Sequence, residues 1–213
     1  MNWLQRGYVR LSDAKQRLFN FFAVLDLRLR GAKVGRGVRI LGPIYCRNGR
    51  GLEIGDRAVV GRGAKINLEP GGKLTLGYAA RIGEGVLLTV KRGGVMRLGD
   101  HALINTRSIV TCWSQVTIGA GTLVAPHCHI TDRNHGIAPG VPIRQQRGEI
   151  APITTGADAW IASSCIVLKG STIGDGAVVG ANSVVTAEIP PQAIAVGSPA
   201  RVIGARSDRQ DGA

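Results

Sequence analysis

One ten-residue pattern occurs three times in the chain, as CRNGRGLEIG at residues 46–55, LEPGGKLTLG at residues 68–77 and VKRGGVMRLG at residues 90–99. Each copy has a glycine-containing turn, a short alternation of apolar and polar residues, and an aliphatic residue followed by glycine. The aliphatic-glycine pairs begin at Ile54, Leu76, Leu98 and Ile118, so they are 22, 22 and 20 residues apart. A fixed period of this length indicates structural units that stack on one another.

A shorter period of six residues lies inside each repeat. It reaches residue 130 and resumes at residue 161, with an aliphatic residue at each step: Ile54, Val60, Ile66, Leu76, Ile82, Leu88, Leu98, Ile104, Val110, Ile118, Val124, Ile130, Ile161, Val167, Ile173, Val179 and Val185. Three six-residue sides make a triangular turn of 18 residues. Each repeat is two to four residues longer than that, and the extra residues fit the glycine-containing bends. Inward aliphatic side chains would then stack from turn to turn. The sequence therefore predicts a parallel β-solenoid over residues 34–190.

Composition agrees with a narrow aliphatic core. Glycine accounts for 31 of the 213 residues and aromatic residues for only nine, yet 44% of the chain is hydrophobic. This hydrophobic content excludes general disorder, and the glycines do not recur at every third position as in collagen. No apolar run reaches the roughly 18 residues of a membrane-spanning helix. The four cysteines form no CxxC pair and no cleavable signal pattern is visible, which favours a reduced, cytoplasmic chain.

The two end segments differ from the repeats. The whole chain has a net charge of +13, and its first 39 positions carry nine Lys or Arg but two Asp. In the basic segment 1–33, Leu18, Phe22, Leu25 and Leu29 recur at helical spacing and Ser12 fits an N-cap, which predicts an amphipathic helix over residues 12–30. Two roles stay open for this helix: a cap on the open end of the solenoid, or peripheral contact with an anionic membrane at the inner face.

The carboxyl-terminal segment, residues 191–213, follows a Pro-Pro pair that ends the repeat. Its stretch GSPARVI at residues 197–203 is predicted to fold back over the last turn, and the residues after about 205 are predicted to fray.

Over residues 34–204 the sequence resembles the hexapeptide-repeat acyltransferases. The most specific segments are TDRNHGI at 131–137, AWI at 159–161, VGANSVVT at 179–186 and GSPAR at 197–201. Within that superfamily the chain is similar to sugar and polysaccharide O-acetyltransferases, such as the galactoside, maltose and colanic-acid enzymes. The resemblance implies a left-handed parallel β-helix, acetyl-CoA as acyl donor, a sugar or polysaccharide acceptor, and a homotrimer with each active site between two subunits.

The six-residue period is interrupted between Ile130 and Ile153, which predicts a polar loop, 131–152, extruded from the solenoid wall. Asp132 and His135 lie at the root of this loop. Acetyl transfer from a thioester to a hydroxyl needs a base for the hydroxyl proton, and a neutral imidazole suits that task at physiological pH. We therefore predict that His135 is the general base. Asp132 is predicted to hold either the imidazole tautomer or a substrate hydroxyl.

The resemblance also implies which residues bind acetyl-CoA. Trp160, Ser163 and Ala181 match positions along the pantetheine arm, and Arg201 matches a position near the nucleotide phosphates. The chain departs from the family pattern at two places where many relatives have a basic residue, Ala187 and Gly204. Two other basic residues are candidates to replace those phosphate contacts: Lys169 and Arg206.

Other functions remain as alternatives. Serine or sugar-nucleotide N-acetyltransfer would use the same donor and the same base. A carbonic-anhydrase-like zinc site would use three imidazoles from His127, His129 and His135, but the ligand spacings of that family are not matched, and we predict no metal. A non-enzymatic basic solenoid would bind nucleic acid through phosphates, yet aromatic residues are almost missing from the repeats, so we predict no nucleic-acid partner. A pure scaffold has no need of an extruded loop that carries a histidine.

Overall fold

The computed structural model describes residues 3–206, with side chains described from residue 14 onward. One helix, α1 (Trp3–Leu29), precedes a three-walled β-helix of about seven turns. The predicted left-handed parallel β-helix is thereby confirmed. In these 204 residues no helix is long and apolar enough to cross a membrane.

The strands are short and follow one another around the three walls. In chain order they are β1 (Lys33–Val34), β2 (Arg39–Ile40), β3 (Tyr45–Cys46), β4 (Leu52–Ile54), β5 (Val59–Val60), β6 (Lys65–Leu68), β7 (Lys73–Leu76), β8 (Arg81–Ile82), β9 (Leu87–Val90), β10 (Val95–Leu98), β11 (Leu103–Ile104), β12 (Ile109–Cys112), β13 (Gln115–Ile118), β14 (Leu123–Val124), β15 (His129–Thr131), β16 (Arg133–Asn134), β17 (Glu149–Ile150), β18 (Ile153–Thr155), β19 (Trp160–Ile161), β20 (Ile166–Val167), β21 (Thr172–Ile173), β22 (Val178–Val179), β23 (Val184–Val185), β24 (Ala193–Gly197) and β25 (Ala200–Ala205). A short 3-10 helix spans Ile143–Gln145.

Each wall is a sheet of stacked parallel strands. Wall A contains β1, β4, β7, β10, β13, β18 and β21; wall B contains β2, β5, β8, β11, β14, β19, β22 and β24; wall C contains β3, β6, β9, β12, β15, β20 and β23. The chain runs from wall A to wall B to wall C in every turn, so three edges (A–B, B–C and C–A) run along the prism.

The core contains all of the aliphatic residues predicted from the six-residue period. All seventeen are buried, with at most 3% of their surface exposed. They stack in register: Val110 pairs with Leu88 in the turn before and with Ile130 in the turn after. Alternation in each strand sends the intervening residues outward, which leaves the walls free to carry polar and charged groups.

Helix α1 covers the first turn of the prism, but not with the predicted face. Leu27 is buried, and Gln16 donates a hydrogen bond to the Ile40 carbonyl oxygen (2.8 Å). The side-chain amide of Asn20 donates to the Val38 carbonyl oxygen (3.1 Å) and accepts a hydrogen bond from the Ile40 backbone nitrogen (2.6 Å). The helix begins at Trp3, so the expectation that Ser12 is its N-cap is wrong. The four residues of the predicted stripe (Leu18, Phe22, Leu25 and Leu29) are exposed rather than packed on the prism.

The chain folds back at its carboxyl end. Strand β25 pairs antiparallel with β24 at the edge of wall B, and Ala200 is buried in this contact. The predicted fraying falls mainly on residues 207–213, which lie outside the described part of the chain.

Candidate functional site

The extruded loop leaves wall C after Thr131 and returns to wall A at Ile153, so it lies on the C–A edge. Its two arms form a small antiparallel ladder in which Arg133 faces Ile150 and Asn134 faces Glu149. The backbone nitrogen of Ala151 also donates a hydrogen bond to the backbone carbonyl oxygen of Asp132 (3.1 Å). The root of the loop is therefore built from regular backbone hydrogen bonds, and His135 follows directly after the outgoing arm.

Asp132 is fully buried at this root. Its carboxylate accepts hydrogen bonds from the backbone nitrogens of Trp113 (2.7 Å), Ser114 (2.7 Å) and Gln115 (3.0 Å), which lie on the same edge in the preceding turn. Three amide donors satisfy the acceptor atoms of this buried carboxylate. Asp132 therefore ties the loop to the turn beneath it, and within the described residues no hydrogen bond joins Asp132 to His135.

An aromatic contact fixes the outgoing arm. The guanidinium carbon of Arg133 lies 3.9 Å from the centre of the Trp113 ring, and the Lys91 ammonium lies 5.1 Å from the same ring. A cation over an indole face is attracted by the ring's electron density. This contact was not predicted, although Trp113 lies one turn before the loop on the same edge, and its place in the repeat could have shown it.

The rest of the loop is held by polar side chains. The Gln146 amide accepts a hydrogen bond from the Ala138 nitrogen (2.8 Å) and donates to the oxygens of Ala138 (2.9 Å) and Val141 (2.7 Å). Glu149 forms an ion pair with Lys169 in the next turn (2.8 Å). The hydrogen bond from Lys169 lowers the pKa of Glu149, so this link is present at neutral pH. The loop is thus tied to the turns on both sides of it.

The structure places the predicted base and the predicted donor-binding residues on different edges. His135 is exposed on the C–A edge, whereas Trp160 lies in wall B, and Ser163 and Ala181 lie on the B–C edge. Trp160 is half exposed and pairs in register with Leu123, which is also half exposed. One chain therefore does not bring His135 and these three residues together.

The three candidate phosphate contacts differ in their partners. Lys169 is paired with Glu149, and Arg206 is paired with Asp158 (3.0 Å). Arg201 is exposed and donates to the neighbouring Ala200 oxygen (2.9 Å). Among the described residues, Arg201 is thus the one of the three that has no carboxylate partner.

Two of the remaining histidines, His127 and His129, precede the loop in the chain. His127 is on the B–C edge in a left-handed backbone conformation (φ 64°), and His129 is exposed in β15 of wall C. Within residues 3–206, no group of three His, Cys, Asp or Glu side chains is arranged to hold a metal ion.

Comparison with known proteins identifies sequence relatives. The family described as bacterial transferase hexapeptide (six repeats) matches residues 152–187. Galactoside O-acetyltransferase of Escherichia coli is 41% identical over 96 residues, which cover 44% of this chain and 46% of that protein. WbbJ of Escherichia coli, provisionally named a lipopolysaccharide biosynthesis O-acetyl transferase, is 36% identical over 112 residues, or 49% of this chain and 57% of that protein. The chain thus spans about half the length of these curated relatives.

Solved structures agree with the fold. The hexapeptide-repeat acetyltransferase VCA0836 of Vibrio cholerae, in complex with acetyl coenzyme A, is 29% identical with a TM-score of 0.56, over 62% of this chain and 70% of that one. AntD, an N-acyltransferase from Bacillus cereus in complex with dTDP and 3-hydroxybutyryl-CoA, is 20% identical with a TM-score of 0.57, over 85% of this chain and 87% of that one. At that identity, AntD supports the fold alone.

Proposed function

We propose that the chain is a hexapeptide-repeat enzyme that transfers an acetyl group from acetyl-CoA to a hydroxyl group of a sugar or polysaccharide. The observation that carries the proposal is the His135 loop, which is anchored to a rigid prism by Asp132, Trp113 and Lys169. The similarity to VCA0836 in complex with acetyl coenzyme A supports acetyl-CoA as the donor. The similarity to galactoside O-acetyltransferase supports a sugar hydroxyl as the acceptor.

In the proposed reaction, His135 acts as the general base. Its neutral imidazole accepts the proton of the acceptor hydroxyl while the hydroxyl oxygen forms a bond to the thioester carbonyl carbon. The carbon–sulfur bond then breaks, and the imidazolium returns the proton to the departing thiolate. Asp132 acts as a positioning residue, because its carboxylate is committed to the backbone amides that hold the loop root.

The donor occupies a groove formed with a second subunit in this proposal. Trp160, Ser163 and Ala181 line the pantetheine arm, and Arg201 contacts the phosphates. Separation of these residues from His135 within one chain supports a site that combines the C–A edge of one subunit with the B–C edge of its neighbour. The outward, stacked side chains of Leu123 and Trp160 support wall B as part of that contact. A homotrimer closes such a heterologous interface into a ring.

The experiment that tests the proposed activity is thiol release from acetyl-CoA in the presence of glycosides, nucleotide sugars and lipid-linked oligosaccharides. His135→Ala is expected to lower acetyl transfer at saturating donor by about 10²–10⁴-fold, the usual contribution of a general base. The matched control is His129→Ala, which removes another exposed histidine six residues away and is expected to leave turnover within about twofold of the parent.

Unchanged turnover in His135→Ala would contradict the assignment of the base. The acceptor series also separates the O-acetyl proposal from N-acetylation. Thiol release that occurs with amino sugars or serine but not with sugar hydroxyls would assign the enzyme to N-acetyl transfer on the same scaffold.

A further inference from the structure

Helix α1 has two apolar faces, and only one of them packs on the prism. At about 100° per residue, Leu27 and the contacting residues Gln16 and Asn20 lie on one side of the helix. Leu18, Phe22, Leu25 and Leu29 lie on the opposite side. An amphipathic helix that only capped the prism would carry polar residues there.

The outward side is a continuous apolar strip. The exposed fractions are 59% for Leu18, 61% for Phe21, 57% for Phe22, 41% for Leu25 and 80% for Leu29. The rings of Phe21 and Phe22 contact each other edge to face, with their centres 5.5 Å apart. We call these five residues the outer strip. A contiguous apolar surface of this kind marks an interaction site.

Basic residues border the outer strip on both sides. Lys15 and Arg30 lie along one border and Arg17 and Arg28 along the other, all of them exposed. Among the helix residues whose side chains are described, the one acidic residue, Asp26, forms an ion pair with Arg30 (2.7 Å).

Two grooves between α1 and the first turn extend the basic border, with volumes of about 410 and 300 Å³. Arg17 and Arg39 line one groove, and Arg17, Arg28 and Arg36 line the other. Among the residues whose side chains are described, no carboxylate lines either groove. Such grooves are suited to phosphate groups, which the guanidinium geometry binds well.

We propose that the outer strip docks on the surface of an anionic phospholipid bilayer, with α1 parallel to the membrane plane and the bordering arginines on lipid phosphates. An apolar strip between two basic borders is the arrangement of helices that lie in the membrane interface. A two-fold contact with a second copy of the chain fits this surface less well, because it would bring the same arginines together and like charges repel. Within residues 3–206, the helix is not apolar enough over its length to cross a membrane.

The test is sedimentation of the full chain with vesicles of phosphatidylcholine alone and of phosphatidylcholine mixed with phosphatidylglycerol. The parent chain is expected to bind the mixed vesicles at low salt, to bind pure phosphatidylcholine much more weakly, and to dissociate as salt increases. Arg17→Gln/Arg28→Gln should weaken binding roughly 30-fold, since each basic residue near the surface contributes about fivefold. Leu18→Ser/Phe22→Ser should weaken it at least tenfold, because the apolar contact is lost.

Matched controls change the same chemistry elsewhere on the molecule. Arg81→Gln/Arg97→Gln removes two exposed arginines from the middle turns, and Ile203→Ser removes an exposed apolar residue at the other end of the prism. Both should bind the mixed vesicles like the parent. Equal losses in the controls and in the outer-strip variants, or no binding by the parent at low salt, would overturn the proposal. A lower oligomeric mass of Leu18→Ser/Phe22→Ser, with unchanged vesicle binding, would assign the outer strip to a second copy instead.

Discussion

The buried carboxylate of Asp132 is the residue on which the geometry of the loop depends. It satisfies three backbone nitrogens of the preceding turn at the place where the chain leaves the wall. Without an acceptor, these amides would lose their partner at a partly buried edge of the prism, which costs free energy. Asp132 therefore stabilises the turn and sets the direction in which the chain leads to His135.

We expect Asp132→Asn to lower the free energy of unfolding by about 1.5–3 kcal/mol, because the amide keeps one acceptor oxygen and presents donors to the remaining N–H groups. Urea unfolding at fixed protein concentration measures the change. The control is Asp175→Asn, an exposed aspartate that accepts one backbone hydrogen bond from Ala157 (2.7 Å), and its effect should stay below about 1 kcal/mol. Equal stability of Asp132→Asn and the parent would show that the three hydrogen bonds do not hold the loop root.

At the scale of residues, the sequence indicated where the loop is but not how it is held. The interruption of the period and the polar residues after Ile130 identify the loop. The partners of Asp132 are backbone nitrogens, which every residue has, so no residue type reveals them. The contact between Arg133 and Trp113 spans one turn of the prism, so predicting it requires that the repeat first be used to align successive turns.

Among the elements, helix α1 shows what residue spacing can and cannot predict. The spacing of Leu18, Phe22, Leu25 and Leu29 correctly predicts a helix, but the spacing alone does not tell which face packs on the prism. The face that packs carries Phe19, Ala23, Val24 and Leu27, which also recur at helical spacing, so the sequence offers two apolar faces. The Gln16 and Asn20 side chains of the packed face satisfy backbone groups of the first turn.

The loop is the second element whose order can be tested. Replacement of Trp113 by Ala removes the ring under Arg133, so the outgoing arm should open more often. We expect trypsin to cleave after Arg144 and Arg147, both exposed in the loop, roughly two- to fivefold faster than in the parent, in line with the strength of a partly exposed cation–π contact. Trp113→Phe keeps an aromatic face and should restore slow cleavage. Cleavage of Trp113→Ala at the parental rate would show that this contact does not order the loop.

For the whole molecule, the repeat was sufficient to predict a parallel β-solenoid, whereas its left-handedness was implied by the resemblance to the hexapeptide-repeat acyltransferases. Each buried aliphatic position recurs with the geometry of the turn, so Ile54 or Val185 could be assigned to the core without knowledge of its neighbours. Whether one chain contains a whole active site could not be predicted in the same way. The period assigns each residue to a wall and to a turn of the β-helix, but it does not indicate which wall contacts another chain.

The proposed trimer leads to a quantitative prediction about mixed subunits. His135→Ala removes the base, and Ala181→Trp fills the groove proposed for the pantetheine arm, so each variant alone should be nearly inactive. If every site takes His135 from one subunit and Ala181 from the next, a mixed trimer contains one intact site among its three. Random assembly of equal amounts of the two variants should then restore about one quarter of the parental activity, since about three quarters of the trimers are mixed. The measurement is acetyl transfer by the two variants co-expressed, with separately purified variants combined without subunit exchange as the control. Activity that stays at the level of the single variants, despite demonstrated mixed trimers, would place the base and the groove of each site in the same chain.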